Sequence, residues 1–253
     1  MELGEYLDTY TYEVAFWVSG VQNPNYPMDQ FGHLTETVSD QLRTLAIAIL
    51  LVEANTDLFY HNLIRSGLAR ERFLQRCRQE GFADFHLAIS RSGALFDALA
   101  AGEFDLTRRI AALSPEEWFQ NGEYEDDYCF SRFFHLALIE DPGQARMASL
   151  LERFEKALDG DLSSHLDLCR ALAARDQSAF DSTFEAYIAE HNEHLEEDSG
   201  RMEDTHVAAE RQIFVEGLAA LRLAEHLGLH TQPEYKYCPA LARLPMVAPF
   251  PGK

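Results

Sequence analysis

The stretch Phe130–Leu138, FSRFFHLAL, indicates the fold class. Counted from Phe130, its apolar residues recur at i, i+3, i+4, i+7 and i+8, which places them on one face of an α-helix. The same period recurs over Met147–Leu158 and Phe180–Ile188, whereas strand-like alternation is scarce. The sequence therefore predicts an all-α protein with about nine to eleven helices joined by short loops.

A weak internal repeat indicates how these helices are arranged. Three segments have the pattern helix, short polar turn, helix, and their turns lie at Gly102, Asp141 and Asp176, 39 and 35 residues apart. Paired-helix repeats have this spacing, and each hairpin buries its apolar face by stacking on a neighbour. We expect stacked antiparallel hairpins that are repeat-like without belonging to a named repeat family.

Local signals predict helix starts and irregular segments. SPEE at Ser114–Glu117 has the form of a capping box with proline at the first helical position. We expect one single domain over residues 1–253, because no stretch has the composition of a linker. Within it we distinguish an N-terminal segment, residues 1–32, with a loop at Ser19–Gly32, and an extended C-terminal tail, residues 233–253.

The charge balance restricts the partners. The 253 residues include 42 acidic and 21 basic side chains, a net charge of −21. Such a surface repels nucleic acid and anionic membranes and attracts basic proteins, although acidity also serves solubility alone. The N-terminus lacks a signal-peptide pattern, and the longest apolar run, Leu45–Val52, is too short to span a membrane. We therefore expect a cytoplasmic protein whose four cysteines, without CxxC spacing, are reduced and mostly buried.

Candidate chemistry is weak in this sequence. The chain lacks the GxSxG, GxxxxGK[ST] and GxGxxG motifs, and the aspartates near Cys129 would raise a thiol pKa rather than activate it. A helical di-iron site needs two Glu-x-x-His motifs, but only Glu203–His206 has that spacing. His191 continues an apolar stripe, and His194 follows it without an HExxH pattern. We expect no enzyme, no cofactor and no metal.

Two acidic stretches carry a stronger signal. Asp181–Glu210 holds ten carboxylates and one arginine, and Ser114–Tyr128 holds six carboxylates and no base. Tyrosine among carboxylates suits recognition of a basic protein, although a solvated helix end is the simpler alternative. If these stretches form a partner-binding face, its residues are Glu123, Tyr124, Glu125, Asp126, Asp127, Glu196, Glu197, Asp198, Glu203 and Asp204.

The C-terminal half resembles a known family. FDSTFEAYIAEHNEHLEE followed by FVEGLAALRLAEHLGLHTQPEYKYCPALARL is similar to the bacterial immunity protein 49 family of polymorphic-toxin systems. The matching positions are His191, the helix Phe214–Leu227, Gly228 and EYKYCP at Glu234–Pro239, and the resemblance covers about the last 170 residues. It implies an all-helical cytoplasmic protein that neutralises a toxin made by the cell itself or delivered by a neighbour, for example as a type VI secretion effector.

Three hypotheses follow from the sequence. The first is an immunity protein whose acidic and tyrosine side chains bind a cognate toxin, for example a nuclease or an NAD-consuming enzyme, and cover its active site. The second is an α-helical repeat scaffold that binds a peptide or helper protein in an aromatic groove remote from the acidic stretches. The third is a helical metalloenzyme, which requires His191, His194 and His206 to converge with carboxylates.

Overall fold

The computed structural model describes residues 3–139, 143–197 and 205–251, which contain eleven α-helices and no β-strand. The helices are α1 (Leu3–Gln22), α2 (Met28–Glu53), α3 (Thr56–Glu80), α4 (Gly93–Ala100), α5 (Phe104–Leu113), α6 (Glu125–Ala137), α7 (Gln144–Ala157), α8 (Ser164–Ala174), α9 (Gln177–Glu197), α10 (Thr205–Glu210) and α11 (Val215–His226). Three short 3₁₀ helices cover Phe85–Leu87, Ile89–Arg91 and Ala240–Arg243. The all-α prediction is confirmed.

Short capped turns produce the hairpins. Between α2 and α3, Ala54 adopts a left-handed conformation, and the Asn55 side chain accepts a hydrogen bond from the Leu58 amide at 3.0 Å. Between α8 and α9, Arg175 is left-handed, and Asp176 accepts from the Ala179 amide at 3.1 Å. Such two-residue turns pack neighbouring helices antiparallel.

The predicted apolar stripes form the core. Phe133 and Phe134 are completely buried, as are Phe180 and Phe184 of α9. Each buried phenylalanine contributes about 2–3 kcal/mol relative to an exposed one. The period of the apolar residues therefore identified the core faces of these helices correctly.

Helix α4 links the two halves of the chain. It packs against α3 and also against α11, which is more than a hundred residues away in sequence. The α3 contact is close, since a Cβ added at Gly67 would lie 2.9 Å from the Ala98 Cβ. This packing fixes the N-terminal end of α4, where the cleft described below opens.

The irregular segments differ from the expectations in two places. Ser114 does not begin a helix; its hydroxyl donates to the Ile110 carbonyl at 2.9 Å and ends α5, and residues 115–124 form a loop. The loop expected over Ser19–Gly32 is limited to residues 23–27, because α1 and α2 extend into its ends. The predicted turn at Asp141 lies outside the described residues.

The segment after α11 is held along α3. The Asp57 carboxylate accepts from the amides of Val247 and Ala248 at 2.6 and 3.1 Å, and the Tyr60 hydroxyl lies 2.9 Å from the Ala242 carbonyl. Among the described residues, no helix has the length and apolar character required to cross a membrane.

Candidate functional site

A cleft of about 900 Å³ opens where the N-terminal ends of four helices meet. We call it the acidic cleft. Its charged residues are Arg91, Glu123, Glu125, Asp127, His165 and Glu216, and its aromatic residues are Phe85, Phe96, Trp118, Tyr124 and Phe130. Four carboxylates thus face one arginine and one histidine.

The helix ends explain why carboxylates are tolerated together here. Helices α4, α6, α8 and α11 begin at Gly93, Glu125, Ser164 and Val215, and residues from their first turns line the cleft or lie next to it. A helix N-terminus carries a partial positive charge and amides without helical partners, both of which favour nearby anions. The fold therefore collects acidic side chains at this position.

The loop at residues 115–124 forms one wall of the cleft, and Glu123 holds it in place. One carboxylate oxygen of Glu123 accepts from the Phe119 amide at 2.9 Å, and the other accepts from the Ser90 amide at 2.8 Å. The Trp118 indole donates to the Glu123 carbonyl at 3.1 Å. Gly122 allows the tight path, since a Cβ there would lie 2.2 Å from the Phe119 ring.

The rim of the cleft is formed by residues 124–127, which come directly after Glu123 in the sequence. Tyr124 is 80% exposed. Glu125 forms an ion pair with Arg153 at 2.7 Å, whereas Asp126 and Asp127 form no hydrogen bond or ion pair with any described residue. Burial, followed by the charge of Asp126, raises the pKa of Asp127, and the nearby His165 only partly opposes this. The Asp127 carboxylate therefore lacks a strong cationic partner.

The floor holds two polar pairs. The Tyr187 hydroxyl donates a hydrogen bond to the Glu216 carboxylate, whose pKa is raised by burial. His165 Nδ1 lies 3.3 Å from Glu190, and Ser164 also bonds this carboxylate. The hydrogen bond from His165 lowers the pKa of Glu190 to about 2. Burial lowers the pKa of His165, but Glu190 and the other nearby carboxylates outweigh it and raise that pKa.

A smaller cavity of about 230 Å³ continues from the floor and shares Gly93, Phe96 and Glu216 with the acidic cleft. Arg43 lines it and forms two hydrogen bonds with the buried Asp97 carboxylate, at 2.6 and 3.2 Å. A Cβ at Gly93 would lie 2.6 Å from the Arg43 guanidinium, so the glycine makes room for this pair.

Comparison with known families identifies the group to which this architecture belongs. The family model described as immunity protein 49 matches residues 40–242, most of the chain. The chain belongs to the immunity protein 49 family. No curated protein and no solved structure matches it. The resemblance in the C-terminal half is thereby confirmed, and the match extends upstream to α2.

The predicted partner-binding residues of this immunity protein are divided by the fold. Glu123, Tyr124, Glu125 and Asp127 line the acidic cleft, and Asp126 lies next to them without lining it. Two more residues, Glu196 and Glu197, are exposed on the last turn of α9 away from the cleft. The remaining three, Asp198, Glu203 and Asp204, lie outside the described residues. Which of these residues contact a partner stays a prediction.

Sequence reasoning missed the floor of the cleft. Glu216 and Glu190 were not selected, nor was His165, although all three lie among the carboxylates of this site. For Glu216 a signal was present, since it is a carboxylate in the first turn of the apolar helix VEGLAALRLAEH. An acidic residue at a position that the helical period buries is a reason to expect a site.

The three histidines considered as metal ligands make different contacts, although His191 and His206 both lie near Glu210. His191 stacks on the Phe214 ring at 3.7 Å, and His194 is exposed. His206 lies 3.0 Å from the Thr44 hydroxyl and 3.3 Å from Glu210. Within the described ranges, no group of three or more histidine, cysteine or acidic side chains has the arrangement of a metal site.

The cysteines are buried and unpaired, as predicted. Burial raises the pKa of Cys129 to about 12, and the charge of Glu125 adds to this effect. At neutral pH this thiol keeps its proton, which is the wrong state for a nucleophile.

Proposed function

We propose that this immunity protein neutralises its toxin by binding arginine or lysine side chains of the toxin in the acidic cleft, so that the toxin's active site is covered. The observation that carries the proposal is the excess of carboxylates in a cleft of a size that accepts side chains, in a member of an immunity family. Carboxylates paired with arginine give such interfaces fast association and specificity.

The electrostatics of Asp127 support a cationic partner. Its raised pKa indicates that the ionised form is destabilised by burial and by the charges of Asp126 and Glu123. A guanidinium placed beside Asp127 offsets both effects and forms charge-assisted hydrogen bonds. The cleft is therefore electrostatically suited to a cation from another protein.

The aromatic residues support a protein partner rather than an inorganic cation. Tyr124 is exposed at the rim, and Trp118 and Phe130 line the walls. Tyrosine, tryptophan and arginine dominate the binding energy of protein interfaces. A scaffold was expected to have an aromatic groove remote from the acidic stretches, but here one of those stretches lines the aromatic groove itself.

The charge of the chain indicates the class of toxin. An excess of 21 negative charges favours a toxin with a basic substrate cleft, such as a nuclease, and a toxin that consumes NAD is the second candidate. Four buried cysteines without a disulfide suit a reducing compartment, so we place the encounter in the cytoplasm.

The test is the affinity for the cognate toxin, sought among the proteins encoded next to this gene and measured by calorimetry with a catalytically inactive variant. Asp127→Lys is expected to weaken binding by about 2–5 kcal/mol, because it places two cations together. Tyr124→Ala is expected to weaken it by about 1–2 kcal/mol through loss of an aromatic contact. The matched control is Glu197→Lys, an equal charge change on an exposed residue outside the cleft.

The control separates the possible interfaces. If Glu197→Lys weakens binding and Asp127→Lys does not, the toxin contacts the end of α9 and the proposed site is wrong. If neither variant changes the affinity, acidic occlusion is wrong altogether. Thermal melting of each variant verifies that it is folded.

A further inference from the structure

A third cavity, of about 730 Å³, lies along α3 between this helix, α1 and the C-terminal segment at Phe250. We call it the arginine trough. One wall is a stripe of α3 that includes Arg65, Ala69, Arg72 and Arg76. The chain has twice as many acidic as basic residues, but three arginines line this cavity against two glutamates.

The trough has the dimensions of a ligand site. Arg65, Arg72 and Arg76 are spaced i, i+7 and i+11, so they lie on one face of α3 and span about 16 Å at 1.5 Å per residue. Val18, Val21, Val38 and Leu42 give the trough an apolar surface beside these cations, and Phe250 lines it from the C-terminal segment. Its volume falls within the range of small-molecule pockets, roughly 300–1,000 Å³.

The arginines of the trough are only partly paired within the fold. Arg76 pairs with Glu80 at 2.9 Å, and its Nη1 is buried without a hydrogen-bond partner. Arg72 donates to the Gln22 carbonyl at 2.7 Å, and Arg65 donates to the Asn62 side chain at 2.7 Å. Among the described residues, neither Arg65 nor Arg72 forms an ion pair with a carboxylate.

Two carboxylates, Glu71 and Glu80, also line the trough. Glu71 is held by Arg109 at 2.7 Å and Glu80 by Arg76 at 2.9 Å, so neither is the counter-ion of Arg65 or Arg72. Burial lowers the pKa of Arg65, and no acidic group opposes this effect. A partly buried guanidinium without an anion is costly unless a ligand supplies one.

Segments outside the family match build the other walls. Val18, Val21 and Val38 precede residue 40, and Phe250 follows residue 242, whereas the arginines lie within the matched range. The cavity therefore exists because the flanking segments of this chain cover the arginine stripe of α3. It is separate from the acidic cleft, with which it shares no lining residue.

We propose that the arginine trough binds a small amphiphilic anion, a phosphate or carboxylate carried by one alkyl or acyl chain. Arg72 offers its charge to the anionic group, the unpartnered Nη1 of Arg76 lies one helical turn away, and the valine surface receives the chain. A polyanion such as nucleic acid does not fit this site, because the net charge of −21 repels it and the trough is largely apolar on one side.

The test is calorimetry of the full chain with decyl phosphate, below the concentration at which it forms micelles. We expect saturable binding with one site, and affinity for inorganic phosphate at least about a hundredfold weaker because the apolar chain is missing. Arg72→Gln is expected to weaken decyl phosphate binding at least about tenfold, and Arg65→Gln by a smaller factor. Arg78→Gln is the matched control, since Arg78 lies on α3 in an exposed position outside the trough.

The outcomes decide both the site and the source of the ligand. Absence of saturable binding overturns the proposal, as does equal weakening by Arg72→Gln and Arg78→Gln, or equal affinity for inorganic phosphate. If Arg72→Gln does not fold, Arg65→Gln is compared with Arg78→Gln in its place. Vesicles containing phosphatidic acid form a second arm, in which binding that Arg72→Gln abolishes assigns the anion to a membrane lipid, whereas binding of decyl phosphate alone assigns it to a free amphiphile.

Discussion

Asp97 and Asp127 are both aspartates on helices that border the acidic cleft, but their surroundings differ. Asp97 is completely buried. Its carboxylate accepts two hydrogen bonds from Arg43 and a third from the Ser66 hydroxyl at 2.5 Å. Asp127 lies at the rim of the cleft, and the charged groups near it are Asp126, His165 and Glu123. The Asp97 carboxylate is paired within the fold, whereas the Asp127 carboxylate is the one proposed to bind a cation of the toxin.

This difference separates charges that are paired inside the fold from charges that are proposed to bind the toxin. Removing a satisfied buried charge leaves its partner without a counter-ion and destabilises the protein. Removing a crowded surface charge leaves stability nearly unchanged and affects only binding. The predictions below test this separation.

The largest effect is expected for Asp97→Ala. Arg43 is only 12% exposed, and without Asp97 its remaining ion pair is the longer contact with Glu210 at 3.5 Å. We expect the free energy of unfolding to fall by about 3–5 kcal/mol, measured by urea denaturation. The matched control is Asp105→Ala, since Asp105 is 86% exposed and pairs with Arg108 at 3.0 Å. That variant is expected to lose less than about 1 kcal/mol, and equal losses would show that burial does not separate the two kinds of charge.

Gly93→Ala is expected to have the next largest effect, because Gly93 lies against the Arg43 guanidinium. The added Cβ would lie 2.6 Å from Arg43 Nη2, so the guanidinium must shift while it remains bound to Asp97. We expect a loss of about 1–3 kcal/mol by thermal or urea denaturation, even though alanine has the higher helix propensity. A stabilised variant would show that the Arg43 side chain adapts without cost.

Glu190→Gln tests a carboxylate that is intermediate between the buried, paired Asp97 and Asp127 at the rim. The pKa of Glu190 is lowered to about 2, so its stabilisation is complete above 4.5 and is lost as the pH falls toward 2. The pKa of His165 is raised, so its stabilisation is complete below 6.5 and is lost as the pH rises through the folded-state value. The pair therefore stabilises the fold most between about pH 4.5 and 6.5.

We expect Glu190→Gln to lower the free energy of unfolding by about 1 kcal/mol near pH 5.5, and by less at pH 3 and pH 8. Glu190 is 31% exposed, and solvent screening limits the effect. Urea denaturation at the three pH values gives the profile. An equal loss at all three values would contradict the ion pair.

The sequence determined more of the fold than of the site, for a physical reason. The spacing of Phe130, Phe133 and Phe134 predicts a buried helical face. This prediction needs only the geometry of a single helix, which determines which residues lie on the same side. The convergence of α6, α8 and α11 depends on packing between residues far apart in sequence, and no local pattern encodes it. Asp127 was therefore selected from local composition, whereas Glu216 and His165 were not.

The same local sequence can also form more than one structure. Ser114–Glu117 has the residues of a capping box, but the Ser114 hydroxyl bonds the preceding helix, and the Tyr128 hydroxyl donates to the Glu116 carbonyl at 2.6 Å. Tertiary contacts thus convert a helix-start signal into the loop that forms one wall of the cleft. Sequence-based prediction failed here because the Ser114 hydroxyl bonds a carbonyl of α5 and the Glu116 carbonyl accepts from Tyr128 of α6.

The smallest effect on stability is expected for Asp127→Asn, and its sign is informative. Because the pKa of Asp127 is raised, its ionisation destabilises the fold as the pH rises above 3.8 through the folded-state value. The amide removes repulsion with Asp126 and Glu123, but it also loses attraction to the N-terminus of α6. We expect a gain of a few tenths of a kcal/mol at pH 7 from denaturation curves, together with weaker binding of the toxin. A clear loss of stability would place Asp127 with Asp97 among the structural charges. A gain in stability with lost binding would show that the cleft keeps its carboxylates at the expense of the fold, as expected of a surface selected for a partner.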